Sequence, residues 1–398
     1  MRAFGLIFGL FLACATPFSP QPSAAEDAPR QVDVFTSGAG GYHTYRIPSL
    51  VVTKRGTLLA ICEGRKTGRG DHGDLDLVMR RSTDGGKTWS KIGLIYEEGG
   101  DKKITIGNPC PVVDQSSGTI WLPFTRDNDD VLMIYSTDDG ATWSKPFKIT
   151  EQVKKPEWGW YATGPGVGIQ LTSGGHGGRL VIPCDHRERV DGQDITFSHC
   201  FFSDDHGMNW KLGASVAPHT NECQVVEVTP GEPSEGSGAR DGESRLMINM
   251  RNYWGRDGKR PERGSRRATA ISRDGGATWR DLRFDPTLIE PVCQASLIRY
   301  SWPSIAKNGA KRKDAPRDDA KNLLVFSNPA SRTARHRLTI RLSADDGRTW
   351  PSERMLYSGS AAYSCLARLP DGRIGILFER DDYKTITFAA LSLAWIRG

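Results

Sequence analysis

One eight-residue pattern occurs five times in this 398-residue chain, and its spacing constrains the fold more than any other feature. The copies read STDGGKTW, STDDGATW, SDDHGMNW, SRDGGATW and SADDGRTW, and they begin at Ser82, Ser136, Ser203, Ser272 and Ser343. Consecutive copies start 54, 67, 69 and 71 residues apart. An internal period of this length is typical of propellers and solenoids. The repeat therefore predicts a β-rich unit that is used several times.

The residues within each copy favour a tight hairpin turn. An Asp side chain accepts hydrogen bonds from backbone amides ahead of it, and a glycine supplies a positive φ. The closing tryptophan can bury a large ring between neighbouring sheets. A structural role for these turns is therefore favoured over contact with a glycan or with calcium.

The composition agrees with many short strands joined by turns, because the chain has 44 glycines, 11 tryptophans and no visible long helical period. Evenly spread copies favour a single domain over residues 26–398. The net charge is only +6, and the densest basic stretch, residues 307–321, also contains aspartates. This predicts a solvated loop and no nucleic-acid binding, whereas a small positive excess suits an anionic small substrate.

The first 25 residues have the features of a removable signal peptide. Arg2 gives a positive start, residues 4–15 are an apolar run, and residues 23–25 are small. We therefore expect an exported protein, periplasmic or secreted. Lipid attachment at Cys14 is the less favoured alternative, because residues 11–13 match the usual small-residue pattern poorly. No later segment approaches the length of a membrane-spanning helix.

The cysteines do not indicate a disulfide framework. Seven remain beyond the leader, an odd and scattered set without a CxxC spacing, so we expect small buried side chains and no metal site. A Cys184–Cys200 bridge stays open as an alternative. The seven are Cys62, Cys110, Cys184, Cys200, Cys223, Cys293 and Cys365.

An arginine two residues before a proline, in Tyr45-Arg46-Ile47-Pro48, stands where strand-like alternation begins. This Arg-Ile-Pro motif upstream of the five turns resembles the exo-sialidase (neuraminidase) family over about residues 32–395. The resemblance implies an all-β, six-bladed β-propeller. It also implies hydrolysis of terminal α-linked sialic acids from glycoproteins, glycolipids and oligosaccharides, with retention at the anomeric carbon. No metal or organic cofactor is expected, and we expect a monomer.

Sialic acid carries a carboxylate on its anomeric carbon, and a planar guanidinium can make two parallel charge-assisted hydrogen bonds to such a group. Members of the family use three arginines from different blades. The resemblance assigns these roles to Arg46, Arg251 and Arg335. Three neighbouring arginines remain alternatives to the last of them, namely Arg332, Arg337 and Arg341.

The resemblance also assigns the catalytic groups. Asp71, on an exposed glycine-rich loop, is the general acid; its rivals Asp74 and Asp76 alternate with apolar residues, as in a strand. Tyr363 is the nucleophile and Glu222 is its base. A neutral phenol avoids repulsion from the substrate carboxylate, and sialidases are the glycosidases with a Tyr nucleophile. A phenol needs an adjacent base to act at neutral pH.

Four further residues are assigned by the same resemblance. Glu379 orients Arg46, and Arg65 contacts a sugar hydroxyl. Trp160 and Tyr161 line the pocket near the N-acyl and glycerol groups of the substrate.

Two other functions remain open for this chain. One is an enzyme of the same fold that transfers the sialyl group to another sugar. The other is a non-catalytic propeller that binds glycans, since fold alone licenses no activity. A pure binder would need no pair of Tyr363 and Glu222, which argues against the second alternative.

Overall fold

The fold consists almost entirely of β-strands. The computed structural model describes Met1 and residues 28–100, 102–229, 243–254, 260–302 and 322–398. Within these ranges there are twenty-five strands, two short α-helices and one 3₁₀ turn. The rest of the predicted signal peptide, including Cys14, and the basic stretch 307–321 lie outside the described residues.

The strands, in chain order, are β1 (Gln31–Thr36), β2 (Thr44–Val52), β3 (Leu58–Arg65), β4 (Leu75–Ser82), β5 (Gly93–Tyr96), β6 (Ile106–Gly107), β7 (Val112–Val113), β8 (Ile120–Arg126), β9 (Asp130–Ser136), β10 (Phe147–Lys148), β11 (Tyr161–Thr163), β12 (Ile169–Gln170), β13 (Leu180–Val190), β14 (Gln193–Ser203), β15 (Lys211–Leu212), β16 (Thr220–Glu227), β17 (Leu246–Asn252), β18 (Arg266–Ser272), β19 (Arg280–Ile289), β20 (Ser296–Ser301), β21 (Leu323–Pro329), β22 (His336–Ser343), β23 (Ser352–Arg368), β24 (Ile374–Arg380) and β25 (Thr385–Leu391). The helices are α1 (Thr150–Val153) and α2 (Leu393–Arg397), and the 3₁₀ turn is Pro261–Arg263.

The strands of the described residues form five antiparallel sheets arranged as in a propeller. Four sheets are built from consecutive strands: β2–β5, β6–β10, β11–β15 and β16–β19. The fifth has seven strands in the order β1-β25-β24-β23-β22-β21-β20, so the first strand pairs with the last. Inner strands contact one another from sheet to sheet: β2 lies against β23, and β16 lies against β13 and β20. The predicted all-β propeller class is confirmed.

Each eight-residue pattern forms the predicted hairpin turn, as the first copy illustrates. Asp84 Oδ1 accepts hydrogen bonds from the backbone N–H groups of Lys87 and Thr88, both at 3.0 Å, and Oδ2 accepts from Thr88 Oγ1 at 2.6 Å. Gly85 and Gly86 have φ of 72° and 85°, which glycine adopts without strain. Equivalent bonds to the residue four positions on occur at Asp138, Asp205, Asp274 and Asp345.

Three inner strands run in the same direction along the central channel. β2 carries Arg46 near its start, β16 carries Glu222, and β23 carries Tyr363. The later residues of the same strands, such as Leu50 and Val226, line a cavity of about 610 Å³. The chemistry-bearing side chains therefore share one end of the channel, and this cavity occupies the other.

The seven cysteines outside the predicted leader are all buried and free in the structure. The expectation of small buried side chains is confirmed, and the alternative of a Cys184–Cys200 bridge is wrong. None of the helices in the described part of the chain is long and apolar enough to span a membrane.

Candidate active site

Three predicted residues meet at one end of the channel. The Tyr363 hydroxyl donates a hydrogen bond to Glu222 Oε1. Arg251 Nη1 donates to Glu222 Oε2 at 2.8 Å and to Tyr363 Oη at 3.1 Å. Glu222 stands near the start of β16, Arg251 near the end of the adjacent β17, and Tyr363 on β23 in another sheet. The pairing of a phenol with a carboxylate is the arrangement of a nucleophile with its base.

Burial of Tyr363 keeps its phenol neutral. Burial raises the pKa of Tyr363 well above its ordinary value and the charge of Glu222 raises it further, although Arg251 and Arg335 act in the opposite direction. The proton of the resting phenol therefore stays on oxygen. Glu222, which already accepts the hydrogen bond, is the group placed to remove that proton.

A buried carboxylate fixes the first predicted arginine. Glu379 Oε1 accepts from Arg46 Nε at 2.7 Å and from the Ile47 N–H at 2.9 Å, and Oε2 accepts from the Tyr363 N–H at 3.1 Å. Ile47 has φ 61°, an outlier for a β-branched residue that must be held by its surroundings. Glu379 is fully buried. Glu379, on β24, therefore holds the Arg46 side chain and the backbone N–H groups of Ile47 and Tyr363.

The third arginine lies beside the phenol without a carboxylate partner among the described residues. The Arg335 guanidinium carbon lies 5.5 Å from the centre of the Tyr363 ring, and Arg46 lies 5.2 Å from the same ring. Arg335 Nη1 donates to Tyr383 Oη at 3.0 Å. Of the alternative arginines, Arg341 pairs with a glutamate elsewhere on the sheet. Arg46 and Arg251 each pair with a glutamate, so Arg335 is the guanidinium group of the three that is placed to bind an anion.

The sequence interpretation missed Tyr383, which lies in the turn after β24. Its ring lies 4.1 Å from the guanidinium carbon of Arg46, and its hydroxyl accepts the hydrogen bond from Arg335. The signal that could have found it is its position, four residues after Glu379 and directly after two aspartates that favour a turn.

The predicted general acid lies on the loop between β3 and β4. Asp71 Oδ1 pairs with Arg65 Nη1 at 2.9 Å, and the Asp71 side chain is 68% exposed. The same nitrogen of Arg65 donates to the carbonyls of Arg69 and Gly70. Partial burial acts to raise the pKa of Asp71, but the charge and hydrogen bond of Arg65 outweigh it, so the pKa lies below its ordinary value.

Arg65 is held by contacts within the protein. Its side chain is only 2% exposed, and its Nε and Nη2 donate to Glu63 at 3.0 and 2.7 Å. The remaining nitrogen holds the loop of Asp71. These donors therefore anchor the loop that carries Asp71, and the contact of Arg65 with a sugar hydroxyl stays a prediction.

The two aromatic residues predicted to line the pocket lie in different environments. Trp160 is half-buried, with its ring centre 5.7 Å from that of His72 on the acid loop. Tyr161 is fully buried, because side chains of adjacent strand residues point to opposite faces. The prediction that the Tyr161 side chain lines the pocket is therefore wrong, and only Trp160 stands at the rim.

Tyr161 belongs to a buried chain of hydrogen bonds. Its hydroxyl donates to the Val153 carbonyl at 3.1 Å, so it accepts from His199 Nε2 at 2.9 Å. His199 Nδ1 is then the acceptor of the 3.0 Å bond from His186 Nδ1. His186 Nε2 in turn accepts from Ser215 Oγ at 3.4 Å. His199 must be neutral for this chain to exist, because its Nδ1 accepts, and burial favours the neutral form of His186.

The free energy of unfolding is expected to fall by about 1.4 kcal/mol for each of these histidines between pH 7.5 and pH 5.5. Burial lowers the pKa of His186 to about 3 and that of His199 well below its ordinary value. An unfolded histidine titrates near ~6.5, so the unfolded chain takes up protons first as the pH falls. The stability that each neutral buried histidine contributes is therefore fully present above about pH 6.5. It is lost as the pH falls toward the pKa of the folded state.

Urea denaturation at pH 7.5, 6.5 and 5.5 measures this loss. The double variant His186→Gln/His199→Gln should show a flatter pH dependence from a lower starting stability. A wild-type stability that stays constant over this range would contradict neutral buried histidines.

The sequence of the chain is similar to those of sialidases. The chain matches the family described as a BNR repeat-like domain over residues 56–376. It is 32% identical over 415 aligned positions to the sialidase of Micromonospora viridifaciens, covering all of this chain and 59% of that protein. It is 30% identical to Sialidase-2 of Mus musculus, covering 89% of this chain and 93% of that protein.

A solved structure gives the same result. The Hadza microbial sialidase Hz136 superposes with a TM-score of 0.76 at 31% identity, over 92% of this chain and 69% of that chain. The chain spans less than two thirds of the Micromonospora relative but nearly the whole of Sialidase-2. A match of this extent, on a propeller that carries the arginine and phenol arrangement described above, assigns the chain to the sialidase family of BNR-repeat proteins.

Proposed function

We propose that the protein is an exo-α-sialidase, which removes terminal α-linked sialic acids from glycoproteins, glycolipids and oligosaccharides. The observation that carries the proposal is the guanidinium group of Arg335 beside the hydrogen-bonded pair of Tyr363 and Glu222. A sialoside supplies both a carboxylate for the arginines and an anomeric carbon for the phenol. The names of the relatives support the same substrate class.

In the proposed mechanism, Arg46, Arg251 and Arg335 bind the substrate carboxylate. Asp71 donates a proton to the glycosidic oxygen as Tyr363 Oη attacks the anomeric carbon. Glu222 takes the phenolic proton in the same step, so no charged nucleophile approaches the carboxylate.

The second step reverses these proton transfers. Asp71, now ionised, removes a proton from water, and the water oxygen displaces Tyr363 from the anomeric carbon. Glu222 returns the proton to the phenolate. Two displacements at one carbon give net retention.

The catalytic loop must change its contacts during this cycle. Arg65 favours the ionised form of Asp71, whereas the first step requires the protonated acid. A substrate oxygen placed between the two side chains would weaken their ion pair and raise the pKa of Asp71.

We further propose that the ring has six blades. β23 is 17 residues long, and its first part pairs with β22 while its second part pairs with β24. Division of the seven-stranded sheet at this strand gives two four-stranded units, in addition to the four separate sheets. Export of a monomer after removal of residues 1–25 completes the proposal, supported by the sequence pattern at the start of the chain.

The decisive experiment is hydrolysis of an aryl α-sialoside by the wild-type protein, followed by proton NMR for the anomer released first. Initial release of the α-anomer supports a retaining exo-sialidase. Formation of a new sialoside in excess lactose would instead favour transfer. A folded protein that binds sialosides without turnover would overturn the proposal in favour of a glycan-binding propeller.

A further inference from the structure

The turn that follows β24 has an unusual backbone. Asp381, Asp382 and Tyr383 have φ of 54°, 55° and 66°, so three consecutive residues adopt the left-handed region without a glycine. Aspartate tolerates this conformation, but tyrosine does so rarely, and left-handed residues normally occur singly. Strain of this kind persists where the surrounding structure fixes it, and it concentrates at functional sites. We refer to these three residues as the left-handed turn.

One side of the left-handed turn contacts the arginines that face the phenol. The guanidinium carbon of Arg46 lies 4.1 Å from the centre of the Tyr383 ring. The Tyr383 hydroxyl accepts a 3.0 Å hydrogen bond from Arg335 Nη1. The Tyr383 carbonyl accepts from Ser37 Oγ at 2.8 Å, which ties the turn to the segment after β1. A single side chain therefore touches two of the three guanidinium groups.

The other side of the turn contacts the acid loop. Asp382 Oδ2 pairs with Arg69 Nη1 at 2.8 Å. The Arg69 carbonyl accepts a hydrogen bond from Arg65, which also pairs with Asp71. The left-handed turn thus reaches the general acid through three consecutive polar contacts.

We propose that the left-handed turn is a positioning element that aligns both halves of the site, through Tyr383 for the arginines and through Asp382 for the acid loop. The inference rests on the proposed sialidase activity. Neither residue contacts the reacting atoms, so each acts through the residues that it orients.

The two contacts should affect different kinetic parameters. The substrate carboxylate is bound in the ground state and in the transition state alike, so misorientation of Arg46 and Arg335 raises KM with little change in kcat. Protonation by Asp71 matters only in the transition state, and mainly for leaving groups that are poor without a proton. A nitrophenol leaves readily without protonation, whereas the lactose of sialyllactose does not.

Tyr383→Phe removes one oxygen and keeps the ring beneath Arg46. We expect KM to rise about tenfold for both nitrophenyl sialoside and sialyllactose, with kcat within about twofold of wild type. The two side chains differ only in the hydroxyl group, so a change in KM reports on the hydrogen bond to Arg335. A KM within about twofold of wild type for both substrates would overturn the role of Tyr383.

Asp382→Asn removes the charge but keeps a residue that tolerates a positive φ. We expect kcat/KM for sialyllactose to fall about threefold relative to that for nitrophenyl sialoside at low salt. Arg69 and Asp382 are mostly exposed, so added salt should bring the wild-type ratio toward that of the variant. An unchanged ratio would overturn the role of Asp382.

Asp381→Asn is the matched control, because Asp381 lies in the same turn but binds Tyr357 and Arg380, away from the arginines and the acid loop. It should behave as wild type on both substrates. If it reproduces the effects of the other variants, the turn acts only through its fold and the inference fails. An inactive wild type would instead refute the proposed function itself.

Discussion

Replacing Tyr363 by Phe is expected to lower kcat/KM for an aryl α-sialoside by about a thousandfold. The change removes the oxygen that accepts from Arg251 and donates to Glu222, while the ring and its packing remain. Without that oxygen, the covalent path through the phenol is closed. Steady-state kinetics with a fluorogenic sialoside measure the loss. The circular dichroism spectrum and melting temperature should stay close to those of wild type.

Tyr300→Phe is the matched control for this substitution. Tyr300 is also a buried strand tyrosine, but its hydroxyl donates to the Gly372 carbonyl, at the end of the channel opposite Tyr363. Activity should be retained in this variant. A Tyr363→Phe protein with more than a tenth of wild-type kcat/KM would contradict nucleophilic attack by the phenol.

Glu379→Gln is expected to lower the free energy of unfolding by about 3 kcal/mol and to raise KM for a sialoside by roughly a hundredfold. The amide keeps the shape of the carboxylate, but it cannot compensate the buried charge of Arg46. Its NH₂ group also faces a backbone N–H in place of an acceptor, at either Ile47 or Tyr363. Chemical denaturation and substrate titration measure the two effects.

Asp194→Asn provides the comparison for the buried pair. Asp194 also pairs with an arginine, at 3.4 Å from Arg189 Nη1, but the two side chains are 54% and 71% exposed, and ion pairs in contact with water contribute little. We expect a change in stability of less than about 1 kcal/mol and unchanged kinetics. Equal effects of the two substitutions would refute the central position given to Glu379.

Much of the fold could be predicted from the sequence because the signals are local. The five turns need an Asp, a residue of positive φ and a Trp within eight positions, and these requirements are visible in one stretch of chain. The meeting of Arg46, Glu222, Glu379 and Tyr363 is not local, since they come from distant strands. Their pairing could be proposed only from the resemblance to a known family.

The errors have physical causes that a linear sequence does not display. Tyr161 follows Trp160 in an apparent pocket segment, but the alternation of the strand sends its ring to the histidines in the core. Tyr383 owes its position to a backbone conformation that tyrosine rarely adopts.

The pairing of β1 with β25 has a consequence for the order in which the molecule can be completed. Gln31 lies opposite Ala389, so the earliest described strand finds its neighbour only after residue 389 has left the ribosome. Until then the segment that begins at Gln31 has an unpaired edge, which is a hazard for association with other chains. Closure of such a long loop is also slow. We therefore expect the pairing of β1 with β25 to be the part of the nascent chain that needs chaperones for the longest time. Deletion of either strand should disrupt the same sheet.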